Sequence, residues 1–210
     1  MHFERRADVV LARKRRFDRL PIDRGANMPS AFGHVAPALA LIPAFHRPGT
    51  PRRLWVLGAL CAIAPDLDVV GFRLGIPYDH PLGHRGLSHS IPFAAAFAGV
   101  VTLLAFPRPL DALPRSRAWL YLFLATASHG LLDACTDGGL GVALLAPFDA
   151  RRIFFPFRPI AVSPLGIAAF LSARGAAILA SELVWVWAPC ALLAGGLLLW
   201  RRRSSSPSCG

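Results

Sequence analysis

Seven side chains in this sequence have the types and spacing to hold a cation. His129 and Asp133 stand four residues apart in His129-Gly-Leu-Leu-Asp133. On a helix, residues i and i+4 share a face, so an imidazole and a carboxylate there can grip one ion. Asp66 and Asp68 lie in Pro65-Asp66-Leu67-Asp68. The proline marks a helix break, and in an extended strand residues i and i+2 point the same way, which would aim both carboxylates at one cation. His84-Arg-Gly-Leu-Ser-His89 directly precedes an apolar run, so His89 falls near the first turn of a helix. Imidazole is a frequent metal ligand, and an arginine beside a metal, here Arg85, commonly holds an anion such as phosphate. His34 opens the first apolar run.

Each of these taken alone has an ordinary explanation: a helix-surface hydrogen bond, an acidic turn, a loop histidine. Their shared position is more telling. His34, Asp66, Asp68, His84, His89, His129 and Asp133 all sit at the ends of apolar runs, in a chain with 12 acidic residues and 7 histidines. Ionisable groups in such segments are costly and usually face a polar interior or cavity. Nitrogen and oxygen ligands without thiolate suit zinc, manganese or iron, and allow one ion or two adjacent ones.

The elements that must position these residues are the apolar runs at 35–45, 54–64, 91–106, 119–132 and 175–200. A membrane-spanning helix needs about 20 apolar residues. The last run meets that comfortably, the third and fourth are borderline, and the first two are short enough to be half-membrane or interfacial helices. Trp185, Trp187 and Trp200 are candidate interface anchors. A polar loop is expected at 73–90, a Gly-, Pro- and Phe-rich loop at 136–160 and a short helix at 161–173. The expected fold is an all-α polytopic membrane bundle of about four spanning helices plus short interfacial ones.

Composition agrees. The chain has 210 residues, 54% of them hydrophobic, and a mean hydropathy of +0.47. Its net charge of +11 comes from 23 Lys and Arg against 12 Asp and Glu. The arginines lie between apolar runs, which favours an anionic membrane surface over nucleic acid, and no base-reading module accompanies them. Cys61, Cys135, Cys190 and Cys209 include no CxxC pair and read as small hydrophobes. Residues 1–27 are basic and contain no apolar signal core, so they read as a disordered extension before a physiological start at Met28. One membrane-embedded domain is expected over 28–203, with a disordered tail at 204–210. Arg201 to Arg203 directly follow the longest run, which predicts a cytoplasmic C-terminus.

The motifs also resemble a known family. Phe32-Gly33-His34, Ala64-Pro65-Asp66-Leu67-Asp68, His84-Arg85-Gly86-Leu87-Ser88-His89-Ser90 and the stretch from His129 through Asp133 and Asp137 to Gly139 occur in order. With Pro147-Phe148, Arg151-Arg152 and Phe157-Arg158-Pro159-Ile160, they are similar to the membrane-bound metal-dependent hydrolases grouped with an inner-membrane protein of the LexA-regulated DNA-damage response. The likeness covers about residues 28–160. It implies a multi-pass protein of the bacterial inner membrane, a proposed hydrolase activity and a distant likeness to zinc-dependent phospholipase C. It implies a metal-ligand role for His34, Asp66, His89, His129 and Asp133, with Asp68, His84 and Asp137 as a second tier.

The function expected from these readings is metal-dependent hydrolysis of a phosphoester, with a membrane lipid among the candidate substrates. A divalent metal, zinc before manganese or iron, would activate water. Arg85 would hold the phosphate, and Asp68 or Asp137 would take the proton. The competing expectation is a transporter or structural membrane protein that binds an ion without turnover. Nothing in the sequence fixes an oligomeric state.

Overall fold

The structure, a computed structural model, describes residues 27–28, 30–108, 112–164 and 173–204. The basic extension, apart from Asn27, and the tail beyond Ser204 lie outside the described residues. So does most of the helix expected at 161–173. Of its described part, Ser163–Pro164 pairs antiparallel with Asn27–Met28, the one two-residue ladder among the described residues.

Everything else that is regular is helical. Helix α1 spans Ala31–Phe45 and begins where the Ser30 hydroxyl accepts the Gly33 amide at 3.3 Å, a side-chain N-cap. Helix α2 spans Arg53–Ile63. The chain was expected to break at Pro65 into an extended segment. Instead it tightens into a 3-10 helix, Ala64–Val69, followed by one α-turn, Val70–Arg73. Pro65 sits in the first turn of that 3-10 helix, where a missing N–H costs nothing. The second apolar run therefore continues as 21 helical residues, Arg53–Arg73, long and apolar enough to cross a membrane.

A 3-10 turn, Leu87–His89, leads into α3, Ile91–Ala105, capped by the Ser90 hydroxyl on the Phe93 amide at 3.1 Å. Helix α4 spans Arg115–Ala134. Helix α5, Ala173–Glu182, runs through a π-turn, Leu183–Trp187, into α6, Ala188–Ser204. Gly175–Ser204 is the second segment with the length and apolarity of a span, and its leucines and Trp200 point outward. Helices α1 and α3 are apolar but only 15 residues long.

The helices alternate in direction. Pairings at both ends show this: His34 near the start of α1 meets Asp66 just past α2, while Phe45 at the end of α1 packs with Leu54 at the start of α2. The main apolar core occupies the second of these ends and includes Phe45, Leu54, Phe106, Tyr121 and Leu122. Tyr121 donates to the Ala38 carbonyl at 3.1 Å, and its ring lies directly over Gly58, where a Cβ would collide with it. Glycine at 58 lets α2 and α4 approach closely.

The same end carries a collar of arginines. Arg117 bonds the Ala44 and Phe45 carbonyls at 2.8 and 3.2 Å, Arg115 the Phe106 carbonyl at 3.1 Å and Arg201 the Pro43 carbonyl at 2.7 Å. These satisfy carbonyls left over where α1 and α3 terminate, and put positive charge at the negative ends of the helix dipoles.

Candidate metal centre

Alternation brings four chain segments together at the opposite end. Helix α1 contributes His34 from its first turn, the 3-10 helix after α2 contributes Asp66 and Asp68, the 3-10 turn before α3 contributes His89, and the last turns of α4 contribute His129 and Asp133. The His89 carbonyl rests on Gly130, where any Cβ would strike it. That contact lets the turn carrying His89 sit against the helix carrying His129.

His129 Nδ1 lies 2.7 Å from the Ala62 carbonyl. A carbonyl only accepts, so Nδ1 donates and Nε2 keeps its lone pair. That Nε2 is 3.1 Å from His89 Nε2, 3.3 Å from Asp66 Oδ1 and 3.8 Å from Asp133 Oδ2. His89 Nδ1 lies 3.1 Å from Asp68 Oδ2, and its Nε2 lies 3.2 Å from Asp133 Oδ2 and 3.6 Å from Asp66 Oδ1. Two imidazole nitrogens thus face each other between two carboxylates. Asp66 Oδ1 and Asp133 Oδ2 are buried without a hydrogen-bond partner.

The donor set can be tested against a cation. Ligands placed tetrahedrally about 2.1 Å from a zinc ion stand about 3.4 Å apart. Five separations among His89 Nε2, His129 Nε2, Asp66 Oδ1 and Asp133 Oδ2 run from 3.1 to 3.8 Å. Asp66, His89, His129 and Asp133 therefore form a group that could hold a metal ion. His34 stacks on His129 with ring centroids 3.7 Å apart, has no hydrogen bond on either nitrogen, and brings Nε2 to 3.7 Å from Asp133 and 4.0 Å from Asp66. It borders the quartet as a fifth donor. Burial opposes a charge on His89, yet the neighbouring carboxylates of Asp133, Asp66 and Asp68 hold its pKa well above the ordinary imidazole value.

Around this quartet lies a layer of supporting contacts. Asp68 accepts from His84 Nδ1 at 2.7 Å, the Ser88 hydroxyl at 2.5 Å and the Arg85 amide at 3.3 Å, besides meeting His89. Asp68, His84 and His89 also form a smaller potential metal group. Arg85 is fully buried. Its Nε and Nη2 straddle Asp133 at 3.2 and 3.4 Å, and its Nη1 reaches the Gly138 carbonyl at 2.7 Å and the Thr136 hydroxyl at 3.1 Å. Its backbone is left-handed, with φ of 62°, a costly conformation for a side-chain-bearing residue. Asp137 is exposed and accepts the Val162 amide at 3.1 Å, outside the ion-pair cluster.

One buried acid escaped the sequence reading. Glu182, 1% exposed, accepts the Ser30 amide at 2.6 Å and the Ser30 hydroxyl at 2.5 Å. It extends the N-cap of α1 from another helix and so braces the segment that bears His34. The signal was an acid inside the longest apolar run.

The sequence matches the model of the family described as YdjM inner membrane protein over residues 28–204. It is 38% identical over 178 residues to the inner membrane protein YbcI of Escherichia coli (strain K12), a stretch that is 84% of this chain and 100% of that protein. No solved structure matches. The chain belongs to the YdjM family of inner membrane proteins.

Proposed function

We propose that this YdjM-family protein is a multi-pass, membrane-bound, metal-dependent hydrolase. Its divalent cation, zinc first among the candidates, is held by Asp66, His89, His129 and Asp133, with His34 as a fifth ligand. The observation that carries this reading is the 3.1 Å approach of two buried imidazole nitrogens between two carboxylates, one ring being locked in that pose by the Ala62 carbonyl. Such a cluster is electrostatically balanced by a cation at its centre.

A bound divalent cation supplies a water of lowered pKa, near 7, and polarises a phosphoryl oxygen. The side chains prepare for that chemistry. Asp68 accepts the Nδ1–H of His89, which turns His89 Nε2 toward the centre, so it acts as a positioning residue. His84 and Ser88 hold Asp68 in turn. Arg85 is turned inward onto Asp133, so it orients a ligand carboxylate instead of clamping a phosphate. Asp66 is the one quartet member whose side chain keeps some exposure, 17%. It stands at the mouth, where it is placed to accept a proton from the attacking water. Asp137 takes no part. The substrate class is a phosphoester, with a lipid phosphoester fitting a site at the end of membrane helices.

One feature favours a second reading, ion binding without turnover. His34, His129 and Asp133 are entirely buried, and a closed four-ligand shell is the mark of a structural zinc site. The purified protein, loaded with zinc, separates the two. Metal-dependent phosphate-ester cleavage that disappears in Asp66→Asn supports the hydrolase. A full complement of metal with no cleavage of phospholipid or of bis(p-nitrophenyl) phosphate supports the structural site and overturns the enzyme reading.

A further inference from the structure

The two ends of the bundle differ in charge and in surface. At the far end, Arg47 and Arg52 lie between α1 and α2, Arg53 opens α2, Arg108 follows α3, Arg115 and Arg117 open α4, and Arg201 to Arg203 close α6. Against these nine arginines the same connections hold one acid, Asp111. At the metal end, the connection after α2 sets Asp66, Asp68 and Asp79 against Arg73 and Arg85. The connection after α4 sets Asp137 and Asp149 against Arg151, Arg152 and Arg158. With Arg174 at the opening of α5, five acids stand against six arginines, close to balance.

Short loops rich in Lys and Arg stay on the cytoplasmic side. Three of the far-end arginines are also bonded to helix-end carbonyls, which fixes them at that surface. Residues 1–26 hold eight more Lys and Arg with four acids, and they lead toward the metal end of α1. The family match covers residues 28–204, so the body shared with the family lies beyond this arm.

The metal end differs a second way. Its connections expose large apolar side chains, Leu74 at 74%, Phe148 at 86% and Phe157 at 61%, beside Leu67 at 71% in the 3-10 helix that continues α2. Leu67 lies beside Asp66, the exposed edge of the centre. Loops in water are polar, and apolar side chains standing out around a polar mouth belong in the boundary between headgroups and acyl chains. Between helices, the arginine end exposes no such residues among the described ones, Phe106 and Leu113 being buried; there the exposed apolar residues, such as Leu104 and Trp200, lie within helices.

We infer that the metal centre opens on the periplasmic face of the inner membrane, and that its substrate is a lipid of the outer leaflet, presented headgroup first at Asp66. This rests on the hydrolase reading for the word substrate, but the orientation stands without it.

The test uses cells producing the full chain with single cysteines introduced at Arg151→Cys, at the metal end, and Arg108→Cys, at the arginine end, with the unsubstituted protein as blank. A membrane-impermeant maleimide should label Arg151→Cys in intact cells and Arg108→Cys only after lysis. Labelling of Arg108→Cys in intact cells overturns the orientation. A C-terminal green fluorescent protein fusion should fluoresce and an alkaline phosphatase fusion should be inactive; the reverse pattern also overturns it. For the ligand, zinc-loaded protein in vesicles should cleave phospholipid at least about tenfold faster than bis(p-nitrophenyl) phosphate, the ratio given by about 1.4 kcal/mol of added binding. Preference for the soluble ester overturns the lipid assignment. Cleavage of neither, with labelling as expected, overturns the hydrolase reading and leaves the orientation in place.

Discussion

The arginine end and the histidine–aspartate end are made by the same four helices, α1 to α4, and they solve the same problem in opposite ways. At the arginine end, long cationic side chains reach back to carbonyls at helix termini, as Arg117 does to Ala44 and Phe45. The Pro43, Ala44, Phe45 and Phe106 carbonyls each gain an arginine donor there. At the other end, imidazoles and carboxylates are buried against one another, and Asp66, Asp133 and His34 keep atoms with no hydrogen-bond partner. The histidine–aspartate end has the charge and the lone pairs of a group that could hold a cation. The lesson is that polar residues in an apolar helix bundle are best sorted by what satisfies them.

The comparison is broken most severely by removing a ligand. His129→Ala and Asp133→Asn should each abolish tight metal binding, read by metal analysis of the purified protein, while both proteins remain in the carbonate-washed membrane fraction. Retention of metal in both variants would mean the quartet is an ion-pair cluster and no metal site. Removing the supporting carboxylate should cost less. Asp68→Asn leaves every ligand in place but weakens its hold on His89 Nδ1, and should lower metal affinity by about 10- to 100-fold, as outer-shell substitutions do. A competition titration with a fluorescent chelator measures it. An unchanged affinity would assign Asp68 to the loop and not to the centre.

Glu182→Gln probes the brace on α1. It keeps the shape but loses the charge-assisted bonds to Ser30, which are worth about 1.5–3 kcal/mol. Thermal unfolding in detergent should shift down, with metal stoichiometry preserved and affinity reduced only as far as His34 contributes. At the arginine end, Arg117→Ala should have the smallest effect on the centre. It removes two bonds to carbonyls that water can replace, and should lower stability by about 1 kcal/mol with metal affinity unchanged. A loss of metal in Arg117→Ala would show that the two ends are not independent.

The site was legible in the sequence to the extent that it follows from spacing and position. His129 and Asp133 share a helical face, and His34, Asp66 and His89 lie at the ends of apolar runs, so the alternation of helices was enough to gather them. The details that depend on tertiary contacts were not legible. Pro65 was read as a break into extended chain, but a proline is equally at home in the first turn of a new 3-10 helix, and only packing against α4 selects that outcome. Arg85 was expected to hold an anion because an arginine beside a metal commonly does. Its left-handed backbone and the acceptors waiting at Asp133, Thr136 and Gly138 turn it inward, and none of these is visible from residue order. Asp137 matched the expected motif but is drawn to the Val162 amide, 25 residues away. Of the fold, the all-helical character and the places of the runs followed from hydropathy. The continuation of the second run to Arg73 did not, because its last ten residues mix acids with apolar side chains.

The central claim is that the end of the bundle opposite the arginines is a metal centre. The most direct measurement is the metal content of detergent-purified wild-type protein, by inductively coupled plasma mass spectrometry, beside His129→Ala prepared identically. The account predicts a divalent ion, zinc first, at close to one per chain in the wild type, and its loss in the variant. Equal metal in both, or none in the wild type after incubation with zinc, manganese and ferrous iron in turn, would contradict it.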